Sequence, residues 1–246
     1  MRLEGKRAVV TGAGSGFGAG IARRFAAEGA RVVVCDVNAA AAQAVAAEIG
    51  GIAQVTDVSD GAQVAALAEA TLAALGGIDI LVNNAGITHL PAFMEEVSED
   101  DFDRVFAVNC KSVYLTARAF VPGMKAAGAG AILNIASTAG VSPRPRLNWY
   151  NASKGWMITA TRAMAVELAP AGVRVNALNP VAGETPLLKS FMGEDTPEMR
   201  AKFLATIPLG RFSTPDDMAN AALFLCSDEA SMITGVAMEV DGGRCI

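Results

Sequence analysis

Short apolar runs rich in Val and Ile alternate with longer stretches of helical periodicity along this chain, and few folds accept that alternation. The runs fall at 8–11, 31–35, 52–55, 78–82, 131–135, 173–178 and 237–240. The helical stretches fall at 17–28, 39–49, 61–75, 101–126, 151–169 and 215–227. Strands that read as nearly continuous apolar runs are covered on both faces. Alternation with helices makes the crossovers right-handed and the strands parallel. The expected architecture is α/β, a doubly wound parallel sheet with helices on both sides. The alanine-rich segment 39–47 is low in complexity, but alanine favours helix and packs closely on a sheet. No repeat and no Pro- or Ser-rich linker interrupts the sequence, so one domain spanning 1–246 is expected.

Composition removes several function classes. The net charge is −5, and no run of Lys or Arg exceeds two residues. That argues against a nucleic-acid surface and against a polybasic membrane patch. Cys35, Cys110, Cys226 and Cys245 are far apart, there is no Cys-x-x-Cys, and His89 is the only histidine. No zinc site fits that inventory, no metal is expected, and free thiols in a reducing compartment are the plain reading. The charged start is unlike a signal peptide, and no apolar run approaches 18 residues. A soluble, cytoplasmic protein is expected.

Thr11-Gly-Ala-Gly-Ser-Gly-Phe-Gly18 follows the first apolar run and opens the first helical stretch. Glycine there lets the backbone turn sharply and pass close to a pyrophosphate. The helix N-terminus then offers unpaired N–H groups and partial positive charge. Asp36 stands just after the second run, 20 residues past Gly16. A carboxylate in that position accepts hydrogen bonds from ribose hydroxyls and repels a 2′-phosphate. Ser15, Val37 and Asn38 add no positive charge, so NAD is expected rather than NADP. Asp36 could also cap the following helix.

Tyr150-Asn-Ala-Ser-Lys154 sets a phenol and an ammonium one helical turn apart on one face. A nearby cation favours phenolate, so the pair is expected to trade protons nearer neutrality than a free tyrosine. His89 reads as a rim or surface residue. Trp149 reads either as a pocket wall or as a subunit contact.

The ordered set of the Thr11–Gly18 turn, Asp36, Asp57-Val58, Asn83-Asn-Ala-Gly86, Asn109, Ser137, Tyr150, Lys154, Asn179-Pro180 and Asp241-Gly-Gly243 resembles the short-chain dehydrogenase/reductase family. The resemblance runs over essentially the whole chain. It implies a Rossmann-like three-layer αβα fold with seven parallel strands, and a homotetramer. It implies that Tyr150 exchanges the proton with substrate, that Ser137 hydrogen-bonds the substrate oxygen, and that Lys154 bonds the nicotinamide ribose. Asn109 would hold a water linking Lys154 to solvent. By the same pattern Gly12, Ser15, Gly16, Phe17, Gly18, Asp36, Asp57, Val58, Asn83, Ala85 and Gly86 hold the cofactor, with Tyr150, Lys154, Pro180, Val181, Gly183 and Thr185. Hydrogen bonding between strands is an equal reading of Asn83-Asn84.

The chain departs from the family after its sixth strand, reading Asn179-Pro-Val-Ala-Gly183-Glu-Thr-Pro where Pro-Gly is common. Residues 183–207 read as a substrate lid carrying Leu187, Leu188, Phe191 and Met192, hinged near Gly183 and Gly193. Between Ser137 and Tyr150 two prolines stiffen a loop carrying Arg144 and Arg146, either of which could bind an anionic substrate group. Trp149 and Phe191 are further candidates for substrate contact. The expected substrate is a small secondary, aromatic or benzylic alcohol and its carbonyl. A 3-oxoacyl-[acyl-carrier-protein] reductase and a sugar or polyol dehydrogenase stand as alternatives within the enzymes. A nucleotide-binding sensor without turnover is the alternative outside them.

Overall fold

The computed structural model describes residues 1–246. Its seven strands are β1 (Arg7–Thr11), β2 (Arg31–Asp36), β3 (Ile52–Val55), β4 (Ile80–Asn83), β5 (Gly130–Ile135), β6 (Val173–Pro180) and β7 (Ala237–Val240). All pair in parallel in the order β3-β2-β1-β4-β5-β6-β7. The fold is Rossmann-like, and the chain reverses its direction of winding between β1 and β4. Crevices at such a reversal, outside the carboxyl ends of the strands, are where open α/β sheets bind ligands.

Period-two burial divides the core. Ala8, Val10, Val32, Val34, Ile80 and Val82 face α1 (Gly16–Ala27), α2 (Ala39–Ile49) and α9 (Pro215–Cys226). Val9, Val33, Leu81, Ile132 and Val175 face the other way, against α3 (Gly61–Leu75), α5 (Ser112–Ala127) and α6 (Asn148–Leu168). Both faces are apolar because both are covered. No helix is long and apolar enough to cross a membrane.

The expected helix over 101–126 is interrupted. Ser98 caps α4 (Glu99–Phe106), a π-helical turn covers Ala107–Lys111, and α5 follows. Apolar periodicity continues through such a turn, so the pattern alone does not reveal it; π-turns recur at functional sites. β4 starts at Ile80, and the side chain of the preceding Asp79 accepts from the backbone N–H and guanidinium of Arg7. α6 starts at Asn148, three residues before the expected 151, which puts Tyr150 inside its first turn.

A buried polar chain crosses from α5 to α6. Thr116 donates to Asn83, Asn83 donates to Asn134, and Asn134 donates to Thr161, each at 2.9 Å. Buried amides are costly unless paired, so this chain fixes the two helices against β4 and β5. Asn134→Ala orphans the Asn83 amide and is expected to cost roughly 1–3 kcal/mol. Urea unfolding checks it: the midpoint falls with the m-value unchanged.

Candidate active site

A single cavity of about 640 Å³ runs along the carboxyl ends of the strands. At one end the glycine-rich turn carries φ of 61° at Gly12 and 55° at Gly16, a region that glycine adopts freely. The Ser15 side chain makes no capping bond, so the first amides of α1 are left for a ligand. Asp36 accepts from the N–H groups of Gly14 and Asn38, both at 2.9 Å. The cap of α2 is Asn38, whose side chain bonds the Ala41 N–H, so Asp36 does not fill that role. Asp57 and Val58 line the same end, with Asp57 held by Ser59.

Tyr150, Lys154 and Ser137 line the cavity together. Lys154 Nζ lies 5.8 Å from the centre of the Tyr150 ring and donates to the Ile135 carbonyl at 2.8 Å. Ser137 accepts from the Ala139 N–H through Oγ, which leaves its own hydrogen free to donate. Close docking of α6 sets these distances. A Cβ on Gly140 would stand 2.8 Å from the Gly155 nitrogen.

The electrostatics differ from the expected acidic phenol. Burial pushes Tyr150 up to about 12, and the hydrogen bond with Ser137 opposes that rise. Burial likewise holds Lys154 down to about 8. Desolvation is the largest cause of both shifts, the ordinary result when a titratable group is buried.

Asn109, in the π-turn, donates through Nδ2 to the Ile87 carbonyl and to Ser153 Oγ, and accepts from the Ile87 N–H. Both of its donors are spent, and one Oδ1 lone pair is left. Across Gly86, Asn109 Oδ1 and Lys154 Nζ lie 3.4 and 3.2 Å from where a Cβ would stand.

Gly12, Ser15, Gly16, Phe17, Ala85, Gly86, Pro180, Val181, Gly183 and Thr185 all line the cavity. Two expected contacts do not. Gly18 packs inside the turn, where a Cβ would stand 2.3 Å from the Gly12 carbonyl oxygen. The Asn83 side chain is spent on Asn134 and Thr116 inside the sheet. The neighbouring Asn84 was given no cofactor role by the motif reading, yet it lines the cavity and donates to the Thr11 and Gly12 carbonyls.

Among the substrate candidates, Arg144 and Phe191 reach the cavity. Arg146 and Trp149 do not. Arg146 adopts φ 66° and lies exposed over the Phe93 ring, 4.5 Å from its centre. Trp149 packs edge-on against Phe102 and donates to the Met94 carbonyl. His89 is buried rather than at a rim, and its Nδ1 bonds the Leu90 carbonyl at 2.7 Å. The segment 183–207 forms α7 (Leu188–Met192) and α8 (Pro197–Leu204). Leu188, Met192, Ile207 and Phe212 pack there as a small separate core. Gly183 is not a free hinge, since it bridges to Ser213 and packs on Phe17. Phe203 of α8 also lines the cavity, and only the apolar character of the segment hinted at it.

These residues fit a nicotinamide dinucleotide: uncapped helix amides at a glycine turn, an acid at the end of β2, and a proton-handling group farther along. The family model described as enoyl-(acyl carrier protein) reductase matches residues 12–244. The chain belongs to the short-chain dehydrogenase/reductase family. It is 51% identical over 252 residues to the 4-formylbenzenesulfonate dehydrogenase of Comamonas testosteroni, covering 100% of both chains. It is 44% identical to the galactitol 2-dehydrogenase of Cereibacter sphaeroides, covering 100% of this chain and 97% of the relative. A 3-ketoacyl-(acyl-carrier-protein) reductase from Brucella melitensis, solved with NADH, superposes with a TM-score of 0.95 at 55% identity, over 99% of this chain and 100% of that one. The protein is an oxidoreductase of alcohols and ketones.

Lys154 gives a pH signature. It is charged in both states below pH 8, where its burial cost is fully present. From about 8 to 10.5 the folded form loses its proton first, the unfolded chain binds more protons, and stability rises with pH. Lys154→Met removes this term. The stability of the variant minus that of wild type should therefore fall steadily across that window, and thermal unfolding of both proteins in matched buffers checks it.

Proposed function

We propose that this chain is an NAD-dependent dehydrogenase/reductase that interconverts a secondary or benzylic alcohol and its carbonyl, with Tyr150 as general acid and base. The observation that carries the reading is the meeting of Tyr150, Lys154 and Ser137 in the cavity whose other end holds Asp36 and the glycine turn. Gly12, Ser15, Gly16, Phe17, Asp36, Asp57, Val58, Ala85, Gly86, Val181, Gly183 and Thr185 would hold the dinucleotide. When bound, NAD supplies the hydride acceptor, so the protein orients the carbon and manages the proton.

In the oxidising direction the Tyr150 phenol would first lose its own proton by way of Lys154 and a water, and the resulting phenolate then takes the hydroxyl proton. Ser137, whose single hydroxyl hydrogen is left free, donates it to the substrate oxygen. Lys154 adds positive charge beside the ring and bonds the nicotinamide ribose. Asn109, with its remaining lone pair facing Lys154 across Gly86, positions a water that carries the proton onward. Asp36 selects NAD because a 2′-phosphate would meet its carboxylate, and its neighbours Val37 and Asn38 carry no charge. The NADH complex of the 55% identical neighbour supports the same choice.

The aromatic residues Phe191 and Phe203 around the reacting end favour a flat or apolar substrate. The relative named for 4-formylbenzenesulfonate supports an aromatic one. The name of the Brucella neighbour favours a second reading, reduction of a 3-oxoacyl thioester. Segments 126–130 and 170–172 carry no basic residue for an acidic carrier, which weighs against it. A homotetramer fits the exposed Tyr114 of α5 and Trp156 and Val166 of α6, which offer apolar surface for pairing.

A panel of benzylic alcohols, polyols and an acetoacetyl thioester, assayed by nicotinamide absorbance, separates these readings. Benzylic turnover with NAD preferred over NADP is expected. Tyr150→Phe should lower kcat by about 10²–10⁴-fold. Asp36→Ala should shrink the NAD preference. Thioester turnover alone, or wild-type rates in Tyr150→Phe, would refute the reading.

A further inference from the structure

Two arginines come together beside the cavity with no carboxylate to neutralise them. Arg144 lines the cavity with Phe191 and Phe203. Its guanidinium lies 4.4 Å from the centre of the Phe203 ring, and Nη2 donates to Thr206 Oγ1 at 3.1 Å. Its backbone is fixed as well: the Arg144 carbonyl accepts from Asn151 Nδ2 at 2.7 Å, one residue past Tyr150. The loop that carries Arg144 is thereby tied to the helix turn that carries the phenol.

Arg244 arrives from the last turn of the chain. Its Nη1 donates to Ser142 Oγ at 3.0 Å, two residues before Arg144, and its Nε is buried with no hydrogen-bond partner. Asp241 might have neutralised it by position, but one Asp241 oxygen accepts from the Gly243 N–H and the other from the Cys245 N–H. The carboxylate builds the turn that presents Arg244 and forms no ion pair with it. The same turn packs on the end of the lid, where a Cβ on Gly242 would stand 2.8 Å from Ile207.

Neither guanidinium belongs to any ion pair of the protein. Arg104, which also lines the cavity, is paired with Asp101, and Arg146 lies outside the cavity over Phe93. Burial, together with the like charge of Arg244, holds Arg144 down to about 10. Half-buried like charges repel, and an unpartnered guanidinium donor is costly to bury. Both penalties are relieved by an anion with several acceptor oxygens, which guanidinium groups bind through paired hydrogen bonds.

We infer that Arg144 and Arg244 together form an anion subsite for a carboxylate or sulfonate carried by the substrate besides its reacting carbon, with Phe191 and Phe203 against the body of the molecule. This rests on the reading that the cavity takes an alcohol or carbonyl. The subsite joins three segments distant in sequence, 142–144, 206–209 and 241–245, so it exists only in the folded chain.

The test is the ratio of kcat/KM for para-hydroxymethylbenzoate and para-hydroxymethylbenzenesulfonate to that for benzyl alcohol, with NAD saturating. Wild type is expected to favour at least one anion. Arg144→Ala and Arg244→Ala should each lower that ratio about tenfold or more, the usual loss of a charged hydrogen bond. Arg144→Lys should keep part of it, and Arg146→Ala should leave it unchanged. Calorimetry of the unreactive para-toluenesulfonate with the NAD complex should show weakened binding in the two alanine variants, and it reads the subsite without turnover. An unchanged ratio in both variants overturns the subsite and leaves the dehydrogenase reading standing. So does a change in oligomeric state on gel filtration with the ratio unchanged, which would assign the arginines to contact between copies. Failure of wild type to oxidise any alcohol counts against the dehydrogenase reading, and calorimetry then still decides the subsite.

Discussion

Docking of α6 onto the end of β5 is the contact on which the rest of this molecule depends. Lys154 reaches across to the Ile135 carbonyl, Thr161 accepts from Asn134, and Gly140 lets the helix backbone approach the turn that begins at Ser137. One rigid-body placement thus fixes the phenol, the ammonium and the serine hydroxyl relative to each other and to the strand ends. A hydrophobic interface alone would tolerate a small slide of the helix. Buried hydrogen bonds, each with one geometry, do not. The site is therefore built on regular elements, with the loop after Ser137 trapped between them.

That placement has an electrostatic cost. Tyr150 and Lys154 are both buried, and burial opposes charge on each. The phenol sits in the first turn of a 21-residue helix, where the helix dipole favours a negative oxygen. Ser137 adds a donor on the same side. Burial thus holds the resting phenol neutral. A group that binds against the phenol and covers it makes each of its hydrogen bonds count for more.

Most of the fold was legible because its signal is redundant. Seven apolar runs, a glycine turn and strict alternation all point to one sheet, and a slip of two residues in a strand boundary changes nothing downstream. The meeting of Tyr150 and Lys154 was legible because their spacing on one helix is itself geometry: they share a face whatever surrounds them. What escaped was set by tertiary contacts. The π-turn at Ala107–Lys111 preserves the apolar pattern that a continuous helix would show. Asn83 and Asn84 are adjacent and chemically identical, yet Asn83 is the last residue of β4 and bonds within the sheet while Asn84, just past it, clamps Thr11 and Gly12. Gly18 has the right residue type for a phosphate turn and serves packing instead. Arg144 and Arg146 are equivalent by sequence in a stiff loop, and tertiary contacts separate them: Arg144 is held by Thr206 and Phe203, while Arg146, at φ 66°, lies over Phe93. Arg244 lies a hundred residues from its partner loop, beyond the reach of any spacing argument.

The cavity accordingly divides into two ends built on different principles. The dinucleotide end uses backbone: helix amides, glycine turns and a single acid held by two N–H groups of the same turn and strand. Its chemistry follows from the fold, so it varies little when surface residues change. The other end uses side chains from segments that meet only through residues 183–207 and the last turn of the chain, with Phe191 against Tyr150 at 5.0 Å and Phe203 beneath Arg144. Those side chains can change by a few substitutions while Tyr150 and Lys154 on α6 stay where the sheet has placed them. The 51% relative and the 44% relative bear names with unlike substrates, a charged aromatic aldehyde and a polyol, as such a division allows. Discrimination between substrates then rests on whether the groups opposite Tyr150 find partners when the cavity fills. An arginine without a carboxylate partner discriminates in this way, since an anionic occupant pairs with it and a neutral one leaves it unpaired.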